Sequence, residues 1–163
     1  MKFFVLMFAL IFSSPVFAES SCKHGDYKSL VETWSEFQRI SLSGTPEEIA
    51  KFYKFPLKLR GPMDGDSPIL VGRNVFLEKY ESIFEQIVDG VDTELYVELK
   101  KTKSSKYVQL SQFDQSGCFN FVRNSTDVSY YEFAWSQKNG WLIETVSVGA
   151  DYSLLVYLKK LKR

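Results

Sequence analysis

Apolar residues recur along this chain first with the period of a helix and later with that of a strand. From Tyr27 to Ile40 they fall at Tyr27, Leu30, Val31, Trp34, Phe37 and Ile40, the spacing of an amphipathic helix. Ser43-Gly44 closes that run. Thr45-Pro46-Glu47-Glu48 opens another, with Thr45 as N-cap, Pro46 at the first helical position and Glu48 completing a capping box. Ile49, Phe52 and Tyr53 are expected to face the core from it. Phe55-Pro56-Leu57-Lys58-Leu59 alternates as a short strand. Pro56 has no N–H for a ladder, so the strand is expected to begin there or to lie on an edge. Residues 61–68 carry two Gly, two Pro and two Asp, the strongest turn signal in the chain, and the brief strand Ile69-Leu70-Val71 follows. Asn74 is placed to cap a third helix, with Val75, Phe76, Tyr80, Ile83, Phe84, Ile87 and Val88 on one broad face and Asp89-Gly90 as its stop.

From Glu94 the period becomes two. Leu95, Val97 and Leu99 alternate with polar residues, and Tyr107 to Phe113 do so more loosely. Cys118 to Arg123 reads as a further strand, and Val128 to Gln137 as a long one rich in Tyr, Phe and Trp. The Asn139-Gly140 turn folds that strand back on Trp141 to Val148 as a hairpin. Leu154, Leu155, Leu158 and Leu161 return to helical spacing in a basic C-terminal segment, expected to dock on the domain with its lysines at the helix end.

The beginning of the chain has another character. Lys2 precedes an unbroken apolar run from Phe3 to Phe12, Ser13-Ser14-Pro15 interrupts it, and Val16-Phe17-Ala18 supplies a cleavage site. These are the three regions of a secretory signal peptide, expected to be cut after Ala18. The run is too short for a stable membrane anchor, which needs about 20 residues. Glu19-Ser20-Ser21 before Cys22 is not the small-residue box of a lipoprotein. The mature chain from residue 19 then has about 145 residues, one domain with room for a core. It is expected to be periplasmic or secreted. Positive and negative residues balance at 20 each, which gives no electrostatic footprint for nucleic acid. The two cysteines, Cys22 and Cys118, both follow the cleavage site, and an even pair in an oxidising compartment predicts a disulfide. Closing so long a loop stabilises by about 4 to 5 kcal/mol on the chain-entropy account.

The order is α+β: two helices, a short strand pair, a third helix, then four antiparallel strands. Phe55-Pro56-Leu57, the turn, Ile69-Leu70-Val71 and the run Arg73-Asn74-Val75-Phe76-Leu77-Glu78-Lys79-Tyr80-Glu81-Ser82-Ile83-Phe84 are similar to exported members of the cone-shaped NTF2-like superfamily. The resemblance implies N-terminal helices packed in a strongly bent antiparallel sheet, with a pocket at the wide end. That superfamily holds isomerases, dehydratases, transport adaptors and non-enzymatic binding domains, so the fold does not select an activity.

Chemistry is sparse. His24 is the only histidine and sits at the mature N-terminus, where nothing in sequence orients it for a catalytic set. No Cys-x-x-Cys, His-x-x-x-His, phosphate loop or dinucleotide fingerprint is present, and no cofactor is expected. Asp64-Gly65-Asp66-Ser67 offers oxygen ligands but lacks the twelve-residue calcium pattern, so it reads as a turn with no metal. Where superfamily members are enzymes, a carboxylate and a Tyr or His lie inside the cone. The residue types that match are Tyr96, Tyr130, Tyr131, Glu132 and Glu144. Alternation places Tyr131, Phe133 and Trp135 on one face of their strand and Tyr130, Glu132 and Ala134 on the other, which favours solvated strand charges over buried acids. Tyr130, Tyr131, Phe133, Trp135 and Trp141 crowd one hairpin, suited to packing, to a pocket or to an interface. The leading expectation is a non-catalytic domain that binds another protein, of the inhibitor or immunity type, with Tyr130, Tyr131, Glu132, Trp135, Trp141 and Glu144 as its candidate residues. Two alternatives stand beside it: a small lyase, isomerase or hydrolase using Glu132 or Glu144 with a Tyr, and a carrier of a small apolar ligand.

Overall fold

A computed structural model of the chain describes residues 22–61, 65, 67–84, 113–119, 125–128, 130–148, 156–158 and 160. The expected signal peptide, the strands at 95–99 and 107–112, the helix stop at 89–90, Tyr96, Asp64 and Asp66 lie outside them. The described elements are helix α1 (Tyr27–Ser43), helix α2 (Pro46–Ile49) running into a 3-10 turn (Ala50–Phe52), strand β1 (Tyr53–Arg60), strand β2 (Ile69–Val71), helices α3 (Arg73–Glu78) and α4 (Tyr80–Phe84), and strands β3 (Ser125–Val128), β4 (Tyr131–Ser136) and β5 (Gly140–Ser147). The architecture is α+β.

Helix α1 begins where the sequence turns amphipathic. Asp26 caps it with extended backbone, its carboxylate accepting from Ser29 N at 2.9 Å. Leu30, Trp34, Phe37 and Ser41 form its buried face, and Gly44 N donates back to Ile40 O where the helix ends. The capping box at Thr45 is complete: Thr45 Oγ1 accepts from Glu48 N, and Glu48 Oε2 accepts from Thr45 N at 2.8 Å. Tyr53, expected on this helical turn, instead opens β1.

The sheet has five described strands in the order β2-β1-β5-β4-β3. All neighbours are antiparallel except the central pair, β1 and β5, which run parallel. The expected all-antiparallel sheet is therefore mixed. The register sorts side chains by row. Ile69, Leu59, Val146, Tyr131 and Val128 align across the five strands, and all are buried. The adjacent row is Leu70, Lys58, Thr145, Glu132 and Asp127 on the opposite face. Helix α1 covers the first face: Trp34 meets Tyr131 and Phe133 at 5.7 and 6.0 Å between ring centroids, and Phe37 meets Tyr131 and Tyr53 at 5.1 and 5.7 Å.

Three strand and helix boundaries differ from expectation. Pro56 neither opens β1 nor sits on an edge strand. Tyr53 pairs with Ile143 and Lys58 with Thr145, so residues 54–57 of β1 bulge opposite the single residue Glu144, and the missing N–H falls where the ladder is already interrupted. The strand expected from Val128 to Gln137 is shorter: β4 begins at Tyr131, and Val128 instead ends β3, opposite Tyr131. The third helix is capped at Gly72, not Asn74, with no side-chain cap bond, and it divides at Lys79, whose φ of −113° and ψ of 17° leave the helical region. Lys79 Nζ lies 2.8 Å from Glu78 Oε1 and 5.3 Å over the Tyr157 ring, contacts that fix the residue at the break. The hairpin β4–β5 forms as expected. Ser136 pairs with Gly140, whose φ of +69° suits glycine, and Ser136 Oγ accepts from Asn139 N at 3.2 Å.

The predicted disulfide is present, joining Cys22 to Cys118 across a sequence separation of 96 with Cα atoms 5.3 Å apart. It fastens residues 22–26 to a tight turn at 114–118. Asp26 bridges Cys118, Phe119 N donates to Gly25 O at 3.0 Å, and Tyr27 N donates to Gly117 O at 2.9 Å. The turn closes on Asp114 Oδ1, which accepts from Ser116 N, Ser116 Oγ and Cys118 N. The Ser116 hydroxyl first, then the Cys118 amide, hold this exposed carboxyl below its ordinary range. Of the C-terminal segment, residues 156–158 and 160 are helical and Leu158 is buried, as docking requires. Among the described residues no helix is long and apolar enough to cross a membrane.

Candidate functional site

The six candidate residues separate according to the pleat. Tyr131 (1 % exposed) and Trp141 (3 %) are core. Tyr131 packs under α1, and Trp141 stands edge-on to Phe119 at 5.6 Å and donates Nε1–H to Ser29 Oγ at 3.1 Å. Neither ring is available to a surface. Trp135 is half-buried, 5.4 Å from Trp141 and packed on Gly25. Tyr130 is half-buried at the end of the β3–β4 connection, where its carbonyl accepts from Ser147 N at 2.9 Å. The aromatic crowding of the hairpin is thus mainly packing of the sheet's inner face.

Glu132 and Glu144 point the other way, onto the face opposite α1. Two irregularities meet at Glu144. Phe133 pairs with Ile143 and Glu132 with Thr145, leaving Glu144 as an extra residue on β5 relative to β4, and the bulge of β1 passes on its other side. Such bulges re-aim a side chain. Here Glu144 Oε1 lies 2.6 Å from Lys58 Nζ and 3.4 Å from Lys54 Nζ. The Lys58 hydrogen bond, exceeding the opposing effect of burial, holds the carboxyl below the glutamate's usual 4.5, with Lys54 adding to it. One strand further, Glu132 Oε2 lies 3.4 Å from Arg60 Nη2, and Asp127 sits directly opposite Glu132 on β3. Partial burial, then the Glu132 charge, push the Asp127 carboxyl above its usual 3.8, while Arg60 pulls it back.

The outer face therefore carries a lattice of charges on four strands, the ion pairs Lys54–Glu144–Lys58 and Arg60–Glu132, with the like-charged Asp127 beside Glu132. The three basic members were not singled out in the sequence. Their signal was the alternation Lys54, Pro56, Lys58, Arg60 along β1, which puts all four on one face. Their acidic partners lie far along the chain, 86 residues in the case of Lys58 and Glu144. Chemically the lattice fixes ionised groups in position. At Glu144 the carboxyl is shifted down, toward the ionised form, while Asp127 is the member shifted up. Among the described residues no group of three or more His, Cys, Asp or Glu is arranged to hold a metal ion. Comparison with known proteins gives no match: no family model, no curated protein and no solved structure aligns significantly with the chain.

Proposed function

We propose that this chain is an exported, non-catalytic binding domain that engages another protein through the charged outer face of its sheet, the part played by exported inhibitor and immunity proteins. The observation that carries the reading is the state of Glu144. A general acid or base would need its carboxyl raised toward neutrality within a cavity. Glu144 is instead held low by Lys58 on the face of the sheet opposite α1. Fixed charges of both signs, held by one another and half-covered, supply partner discrimination and fast encounter rather than turnover. Export is supported by the signal-like N-terminal pattern and by the disulfide, which suits an oxidising compartment. The cone-shaped NTF2-like reading of the fold is supported by helices packed on one face of an open sheet.

Mature, disulfide-intact protein used as bait on a native envelope fraction, at low and high salt, tests this. One stoichiometric partner is expected, lost in Glu144→Lys and Arg60→Glu variants whose far-UV CD is unchanged. Equal capture by the charge-reversed variants would remove the outer face as the interface. Capture of nothing at either salt would end the protein-binding reading.

A further inference from the structure

Opposite the charged face, the interior between α1 and the sheet is built of rings. Trp34 (0 % exposed) and Tyr131 (1 %) lie side by side there, 5.7 Å between centroids. The indole Nε1 of Trp34 and the hydroxyl of Tyr131 are both buried, and among the described residues neither has a hydrogen-bond partner. An indole N–H can only donate, and a buried phenol must donate or strand its proton. Buried donors without partners are rare in native interiors, and each calls for a physical account.

Two more phenols reach the same region from separate elements, Tyr53 from the start of β1 and Tyr80 from the start of α4. Burial first, then proximity to Tyr131 and Tyr80, push the Tyr53 hydroxyl well above its ordinary range; burial and Tyr80 do the same to Tyr131. Among the described residues the titratable groups acting on these two phenols are other tyrosines, with no carboxylate or cation among them. The phenols therefore stay neutral and protonated at any working pH. Phe37 and Phe76 complete the surroundings, Phe37 at 5.1 Å from Tyr131 and Phe76 at 4.8 Å from Tyr53.

We propose that this interior, walled by Trp34, Phe37, Tyr53, Phe76, Tyr80 and Tyr131, binds an uncharged, largely apolar small molecule that presents a carbonyl or ether oxygen to the Tyr131 hydroxyl and the Trp34 N–H. Small-molecule sites are mostly aromatic and apolar with a few convergent polar groups, which is the composition found here. The chemistry selects the class. A carboxylate or phosphate would be buried without a counter-charge, and an ammonium would meet donors. A plain hydrocarbon would leave both donors unpaired. An acceptor oxygen on an apolar body satisfies both demands.

The test compares acetophenone with ethylbenzene, which has the same shape without the acceptor, and with benzoate, which carries a charge. Calorimetry and thermal shift on the mature, disulfide-intact protein are the readouts. Acetophenone is expected to raise Tm and to bind at least about tenfold more tightly than ethylbenzene, the effect of one hydrogen bond; benzoate is expected not to bind. Tyr131→Phe should abolish the preference for the ketone while leaving the Tm of the unliganded protein equal or higher, because a stranded hydroxyl is removed. Equal binding of acetophenone and ethylbenzene, or binding of neither at millimolar concentration, overturns the proposal. A clear fall in unliganded Tm on Tyr131→Phe also overturns it, by showing that the hydroxyl is already satisfied by trapped solvent. Should that variant fail to fold, Trp34→Phe puts the same question through the other donor: a retained ketone preference refutes the assignment, and its loss supports it.

Discussion

Gly25 and Gly117 form a natural pair of probes for the N-terminal clasp. Both have left-handed backbone, φ of +85° and +80°, so alanine at either position costs about 1 to 2 kcal/mol in conformation. Their surroundings differ. A Cβ on Gly117 would meet nothing within 4 Å, whereas one on Gly25 would lie 2.7 Å from Trp141 Cζ2 and 2.9 Å from Trp135 Cδ2 and Cε3. These rings have little room to retreat, since Trp141 is tied to Ser29 Oγ and packed against Phe119 on one side and Trp135 on the other. Overpacking of this kind adds about 1 to 3 kcal/mol. Gly25→Ala should therefore lose about 2 to 5 kcal/mol and Gly117→Ala about 1 to 2. The difference isolates the packing of residues 22–26 on the tryptophan pair, because the backbone cost is common to both. Urea unfolding followed by far-UV CD, with the disulfide intact, measures it, and the Tm values should separate by about 3 °C per kcal/mol. Equal losses in the two variants would refute the reasoning, since they would mean that the clasp does not rest on the rings.

Replacing Cys22 and Cys118 together by serine should lower stability by about 4.7 kcal/mol, the value for a loop of roughly a hundred residues, read from the shift in urea midpoint. Asp26→Ala should cost about 1 kcal/mol by uncapping α1, and Asp26→Asn should restore most of it, as the amide oxygen still accepts from Ser29 N. Because the folded-state pKa of Glu144 is depressed, its contribution is present above about pH 4.5, the unfolded value, and is lost as pH falls through the folded one. Glu144→Gln should accordingly flatten the acid limb of a stability–pH curve, and an unchanged limb would separate Glu144 from Lys58 in solution. Mass spectrometry of the exported protein should find a mature chain beginning at Glu19.

The helices were legible because their signals are local. The Thr45 capping box and the Leu30, Trp34, Phe37 stripe are complete within a few residues, and Cys22 with Cys118 left one pairing to choose. The β3–β4 hairpin was hidden because Ser125, Thr126 and Asp127 are polar and left most of β3 unmarked, and no Gly, Pro, Asn or Asp follows Val128 to announce a turn before Tyr131. The break at Lys79 was equally silent, with no residue of poor helical propensity to mark it. Alternation did assign Tyr131 and Phe133 to one face and Glu132 to the other. It could not say that β1 would lie against β5, and without that pairing Glu144 had no visible partners. The interior donors were out of reach for a similar reason: Trp34, Tyr53 and Tyr80 each read as ordinary core, Tyr131 was grouped with its own hairpin, and only their convergence makes them a group.

The parallel contact between β1 and β5 also orders events when the chain folds. The β1–β2 ribbon is complete by Val71, but the strand that closes its inner edge starts at Gly140. Long-range pairings of this kind are slow, because loop closure precedes any reward. Until β5 arrives, a chain emerging N-terminus first presents β1 as an open template for its neighbours. The same residues that later make the charged lattice guard it in the meantime. Pro56 withholds a hydrogen-bond donor, and Lys54, Lys58 and Arg60 make strands of identical sequence repel one another along that edge. Charge at these three positions thus protects the newborn chain from self-association before any of its acidic partners exists, and neutral substitutions there should cost yield in export more than stability in the finished protein.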